Sequence, residues 1–194
     1  MSAHQRNSLC SSADIRWMGR PLLIIVLLLP GCWYSTLAAH ELGHALAAAL
    51  TGTKHIDVVL PVLGFSRTDR VPDHHVAITT AAGFVSGALI PTLLWWGSKR
   101  VAIDTSRVLR IWAGFALILN GGYCAADAIL QSGDGGQLVR AGMPVWLLVV
   151  AGTIVLACGL WLWHRLDCVA PLTRADTMAA LSLLLVGVSS FLVW

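Results

Sequence analysis

Two histidines and the chain's only glutamate fall within one helical turn of each other in Ala38-Ala39-His40-Glu41-Leu42-Gly43-His44-Ala45. Four residues apart on a helix, His40 and His44 share a face, so both imidazoles can reach one ion, with Glu41 beside them to deprotonate a metal-bound water. The spacing reads as a hydrolytic zinc motif. A carboxylate among so many alanines and leucines is costly unless a cation or polar partners meet it, and a metal is such a cation. Gly43 leaves room for close approach on the metal side. The bare pentapeptide also occurs on ordinary helices, and a catalytic zinc usually takes three protein ligands, so a third has to come from elsewhere.

The elements that would position it are membrane helices. Of 194 residues, 57% are hydrophobic and 12% charged, with a mean hydropathy of +0.74. Soluble domains carry about 25% charge, so the chain reads as an integral membrane protein, of bacterial inner-membrane type. The net charge of +3 is small and the arginines lie between apolar runs, which fits topology signals and excludes a nucleic-acid surface. The predicted fold is all-α and polytopic, with about five spans and a short strand-like segment after the first. A polar tail covers 1–20, and one transmembrane domain covers 21–194, with a core at 22–140 and additional helices at 141–194.

Leu22 to Leu50 is apolar over 29 residues, roughly 43 Å of helix against about 30 Å of hydrocarbon. Either one long tilted helix carries the motif near its end, or Pro30-Gly31 breaks it. Leu29-Pro30-Gly31-Cys32 loosely resembles a lipoprotein cleavage site but reads better as that helix break. The five cysteines have no C-x-x-C pairing and read as small apolar residues. Thr51 to Asp73 is different: His55 to Phe65 is β-branched and partly alternating, a short strand or hairpin against the membrane surface. His74 and His75 are adjacent, point in different directions and read as interfacial. Further spans follow at Val76–Trp96, Val108–Leu130, Ala141–Trp163 and Ala175–Trp194.

Topology bears on the third ligand. If the first span leaves His44 near its exit side, the second and third return the chain to that side at Gln131-Ser132-Gly133-Asp134-Gly135-Gly136. Asp134, between glycines that permit close approach, is the leading candidate, Asp127 the rival, and His74 or His75 weaker ones. With five spans and a cytoplasmic tail, nine of the thirteen basic residues fall inside, which the positive-inside rule favours.

The arrangement resembles the site-2 protease family of zinc intramembrane metalloproteases, in its short, domain-poor bacterial form. The resemblance rests on Ala39-His40-Glu41-Leu42-Gly43-His44-Ala45, on Ala82-Gly83, and on Asn120 with Asp134-Gly135-Gly136, and covers roughly 22–140. It implies a zinc-dependent endopeptidase that cuts a membrane-embedded protein or signal-peptide-like substrate. One Zn2+ would be bound by His40, His44 and Asp134, Glu41 would activate its water, and Asn120 would help hold the substrate backbone. The family's Ala-Gly-Pro-x-x-Asn reads Ala82-Gly83-Phe84-Val85-Ser86-Gly87 here, without the proline or the asparagine. The alternatives are a catalytically silent membrane scaffold or metal-binding protein of the same fold, and a transporter. The transporter would spread polar residues over several spans, whereas here they cluster near one site.

Overall fold

The computed structural model describes residues 11–61, 66–100, 106–164, 166 and 173–193. It is mostly helical, with α1 (Ser11–Leu50), α2 (Val76–Arg100), α3 (Ser106–Leu130), α4 (Gly133–Arg140), α5 (Val145–His164) and α6 (Arg174–Val193). An antiparallel pair, β1 (His55–Val59) and β2 (Arg67–Val71), joins α1 to α2.

The helices form because apolar, helix-tolerant residues run on all sides with almost no charge, the pattern of a helix surrounded by apolar material. Among the described residues, α2, α3 and α5 are long and apolar enough to cross a membrane, fewer than the five spans that the sequence predicts. Their outer faces leave Leu89, Leu93, Ile154 and Trp161 exposed, a surface suited to lipid rather than water. At the end of α2, the Lys99 ammonium lies 4.1 Å from the Trp95 ring centre, and the Arg100 guanidinium 4.5 Å from that of Trp96. Such cation–aromatic pairs suit a headgroup layer.

α1 runs for 40 residues without interruption, which decides for the single long helix over the break at Pro30-Gly31. The glycine serves packing instead, since a Cβ there would sit 3.1 Å from the Leu184 amide nitrogen of α6. Residues 11–20, expected in the polar tail, also belong to α1, while 1–10 lie outside the described residues. α1 packs mainly on α2 and α6, and α3 on α2 and α5. The α3–α5 seam is close because Gly121 faces Gly152 and Gly114 faces Gly159, backbone against backbone. Cys32 and Cys124 are buried as expected, whereas Cys158 is exposed on α5; Cys10 and Cys168 lie outside the described residues.

The expected strand segment is a hairpin in the register His55↔Val71, Asp57↔Asp69, Val59↔Arg67; residues 62–65 are outside the description. Along β2 the pleat exposes Arg67, Asp69 and Val71 and turns Thr68 and Arg70 inward. That inward face rests on α1 and α2 beside the His-Glu-x-x-His turn.

Candidate metal centre

His40 and His44 project from one face of α1, and their Nε2 atoms stand 3.0 Å apart. Asp134, in the first turn of α4, completes the group: its Oδ2 is 2.9 Å from His40 Nε2 and 3.0 Å from His44 Nε2. The three ligand-type atoms lie within 4.8 Å of one another. The topological argument that returned Asp134 to the side of the histidines therefore agrees with the geometry.

The backs of both rings are fixed. His44 Nδ1 is 2.8 Å from the Thr79 carbonyl, which can only accept, so this nitrogen carries the proton. His40 Nδ1 is 2.8 Å from Asn120 Oδ1, while Asn120 Nδ2 donates to the Ala116 carbonyl at 2.9 Å. With both Nδ1 atoms protonated, two imidazole lone pairs and a carboxylate oxygen face one point. Only a shared proton or a cation reconciles three acceptors at that range. Ligand atoms around tetrahedral zinc lie about 3.3 Å apart, from bonds of about 2.0–2.1 Å, so each edge of this triangle would have to open by only a few tenths of an ångström. The outer hydrogen bonds from Nδ1 to a carbonyl and an amide oxygen are those that orient metal-bound imidazoles. The residues fit a zinc ion.

Small residues of α2 make the space. A Cβ on Gly83 would collide with the His44 ring and lie 2.9 Å from His40 Nε2, and one on Gly87 would meet the Asn120 amide. Gly87 stands where the family pattern has an asparagine, and the amide above it comes from α3 instead. Ser86 Oγ donates to the Ala39 carbonyl at 2.8 Å, pinning α2 to the motif turn.

Asp134 is placed by a tight turn. Gln131 and Gly133 both have positive φ, +55° and +47°, and α4 starts at Gly133, where a carboxylate in the first turn complements the helix dipole. The glycine-rich stretch that returns the chain to the histidines is thus the start of a helix. Burial works to raise the Asp134 pKa, but hydrogen bonding and charge from the two imidazoles, when these hold the shared proton, outweigh it and keep the carboxyl well below the usual range. Asp127, the rival ligand, is buried outside the group of three. Its Oδ1 accepts from Ser132 Oγ at 3.1 Å, and its carboxylate faces the amides of Asp134 and Gly135. It therefore braces the turn that presents Asp134. His74 and His75 are exposed and lie outside the metal-ligating group.

Glu41 is buried, and its Oε2 accepts a hydrogen bond from Thr68 Oγ1 of β2 at 2.5 Å. Arg70, two residues on, has a side chain only 7% exposed and pairs with Asp73 at 3.3 Å. It also donates to Thr80 Oγ1 on α2 at 3.3 Å and Gln137 Oε1 on α4 at 3.1 Å. Its Nη1 lies 3.1 Å from His44 Nδ1; because that N–H is committed to Thr79, the contact sets two donors side by side. Asp73 also accepts from Thr79 Oγ1 at 2.6 Å. Arg70 thus ties hairpin, α2 and α4 together behind His44. Sequence reasoning missed Thr68, Arg70 and Gln137, although Thr68 and Arg70 lie two apart, on one face of a strand.

Two cavities meet at this centre. One runs between consecutive residues Ser66 to Arg70 of the hairpin and the end of α3 with the start of α4. The other is a mainly apolar crevice between α1 and α3. Both reach Glu41, Tyr123 and Asp134.

A family model described as Peptidase M50B-like matches residues 21–129. That stretch holds His40, Glu41, His44 and Asn120 and stops short of Asp134, so the third member of the cluster rests on geometry. No curated protein and no solved structure matches the chain.

Proposed function

The chain belongs to the Peptidase M50B-like family, and from that premise we propose that it is a zinc-dependent intramembrane endopeptidase. The observation that carries this reading is the convergence of His40 Nε2, His44 Nε2 and Asp134 Oδ2 within 4.8 Å, with buried Glu41 beside them. A bound zinc would supply a Lewis acid for the scissile carbonyl and let a water ionise near neutral pH.

The chain's own residues do the rest. Glu41 takes the proton of the attacking water and returns it to the amide nitrogen as the C–N bond breaks, leaving a carboxylate and an amine. Thr68 holds the Glu41 carboxylate in place through its hydroxyl. Thr79 and Asn120 hold the imidazoles in the tautomer that presents Nε2. The consecutive residues Ser66 to Arg70 line the larger cavity, which suits an extended peptide added alongside β2. The substrate is a membrane protein or signal-peptide-like segment that enters this cavity unwound. The sequence resemblance gives Asn120 a hold on the substrate backbone; with Oδ1 engaged by His40 and one Nδ2 hydrogen by Ala116, the remaining Nδ2 hydrogen is available for it.

Zinc content and peptide cleavage measured together test this reading. The wild-type protein should hold about one zinc and cleave, and Glu41→Gln should keep the metal and lose cleavage, because an amide is no base. Cleavage by Glu41→Gln at the wild-type rate would remove the proposed mechanism. Zinc without cleavage in the wild type would point to the silent metal-binding form of the fold.

A further inference from the structure

The crevice between α1 and α3 is placed and sized for one side chain. α1 contributes Trp33, Leu37 and Glu41, spaced four apart along one face, and α3 contributes Leu119 and Tyr123, also four apart. At its inner end stand His40, Glu41 and Asp134, so whatever occupies it lies next to the reacting carbonyl. The space open to the centres of water-sized groups is about 60 Å³. At about 10–15 Å³ per group, this holds roughly four to six, enough for a valine or leucine side chain and too little for an indole. The back of the crevice is closed, since Trp112 Nε1 donates to Thr36 Oγ1 at 3.1 Å and His40 meets Asn120, both links joining α1 to α3.

Given the protease reading above, we propose that this crevice is a specificity subsite for an aliphatic side chain adjoining the scissile bond, with Leu37 and Leu119 setting its size. Most of the lining is apolar surface, from Leu37, Leu119 and the rings of Trp33 and Tyr123, and the polar groups besides those of the centre are Thr36, Ser66, Asn120, the Tyr123 hydroxyl and the Trp33 N–H. An anionic side chain would be desolvated there and face the carboxylates of Glu41 and Asp134. A small apolar pocket discriminates by volume, at about 10–200-fold per methylene.

The test uses the full-length protein in bicelles and membrane-spanning peptides with a central Gly-Xaa-Gly, where Xaa is Ala, Val, Leu, Phe or Trp, and cleavage products are located by mass spectrometry. The wild type should cut beside Val or Leu at least tenfold faster than beside Trp. Leu119→Ala and, separately, Leu37→Ala should raise the Phe-to-Leu ratio at least tenfold, while zinc content stays at the wild-type level. An unchanged ratio in zinc-loaded variants that still cut the Leu peptide would overturn the subsite.

An independent arm needs no turnover. In Glu41→Gln, a peptide with photo-leucine as Xaa should crosslink to Trp33, Leu37 or Leu119, and crosslinks confined to other positions would overturn the assignment. Failure of the wild type to cut any peptide counts against the protease reading, whereas the crosslink still reports on the crevice, so the two failures are distinguishable.

Discussion

Asn120 Oδ1 lies 2.8 Å from His40 Nδ1, so a side chain of α3 sets the tautomer of an imidazole on α1. Asn120→Ala should therefore lower zinc affinity about 10–100-fold, the usual consequence of removing an outer hydrogen-bond partner. Asn120→Asp, which keeps an acceptor, should recover most of it. Chelator competition measures both. A raised KM at unchanged zinc affinity would instead return Asn120 to substrate holding alone.

Gly83 of α2 supports the two rings from beneath, and a methyl group there would occupy the space of His44. Gly83→Ala should abolish stoichiometric zinc binding while the protein stays helical by circular dichroism. Wild-type zinc content in that variant would mean that the helices can separate where the structure packs them closely.

The two aspartates divide into ligand and brace. Asp134→Ala should reduce zinc affinity far more than Asp127→Ala. The latter should act mainly on stability, by about 1 kcal/mol, in the range of a lost helix cap. Equal losses of zinc would show that Asp127 joins the metal.

Arg70 forms a buried ion pair with Asp73 and holds three elements together. Removing one partner of a buried pair leaves the other charge uncompensated and typically costs about 3–5 kcal/mol. Arg70→Ala should therefore lower the unfolding temperature in detergent and make the hairpin segment sensitive to added protease, while Arg67→Ala, whose partner Asp69 is exposed on the surface, should do neither. Protection of the hairpin in Arg70→Ala would place the fastening elsewhere.

What the sequence makes legible follows from the range of the physics involved. His40, Glu41 and His44 are local: helical periodicity alone puts them on one face. Asp134 is reachable by counting spans, because an even number of crossings separates it from His44. Asn120 is named by the family resemblance, but its bond to His40 depends on how α1 and α3 approach across Gly87, which no periodicity reports. Arg70 looks like loop charge until Asp73, Thr80 and Gln137 surround it. The unbroken α1 is one of two readings that the sequence leaves open, because Pro30-Gly31 is a break signal by composition and a packing surface for α6 in space.

The two cross-links between α1 and α3, Thr36 with Trp112 and His40 with Asn120, hold those helices at a fixed spacing. The crevice, at about 60 Å³, takes one side chain and not the body of a helix about 10–12 Å across. With its back wall tied, the crevice cannot widen to take one. On the protease reading, the work of unravelling the backbone would then fall on the incoming chain, and choice among targets would follow in part the stability of their secondary structure. Sequences in which glycine, at about 1 kcal/mol, or proline, at about 3 kcal/mol, already weakens the helix would present an open strand more often, and stable leucine-rich anchors would be spared.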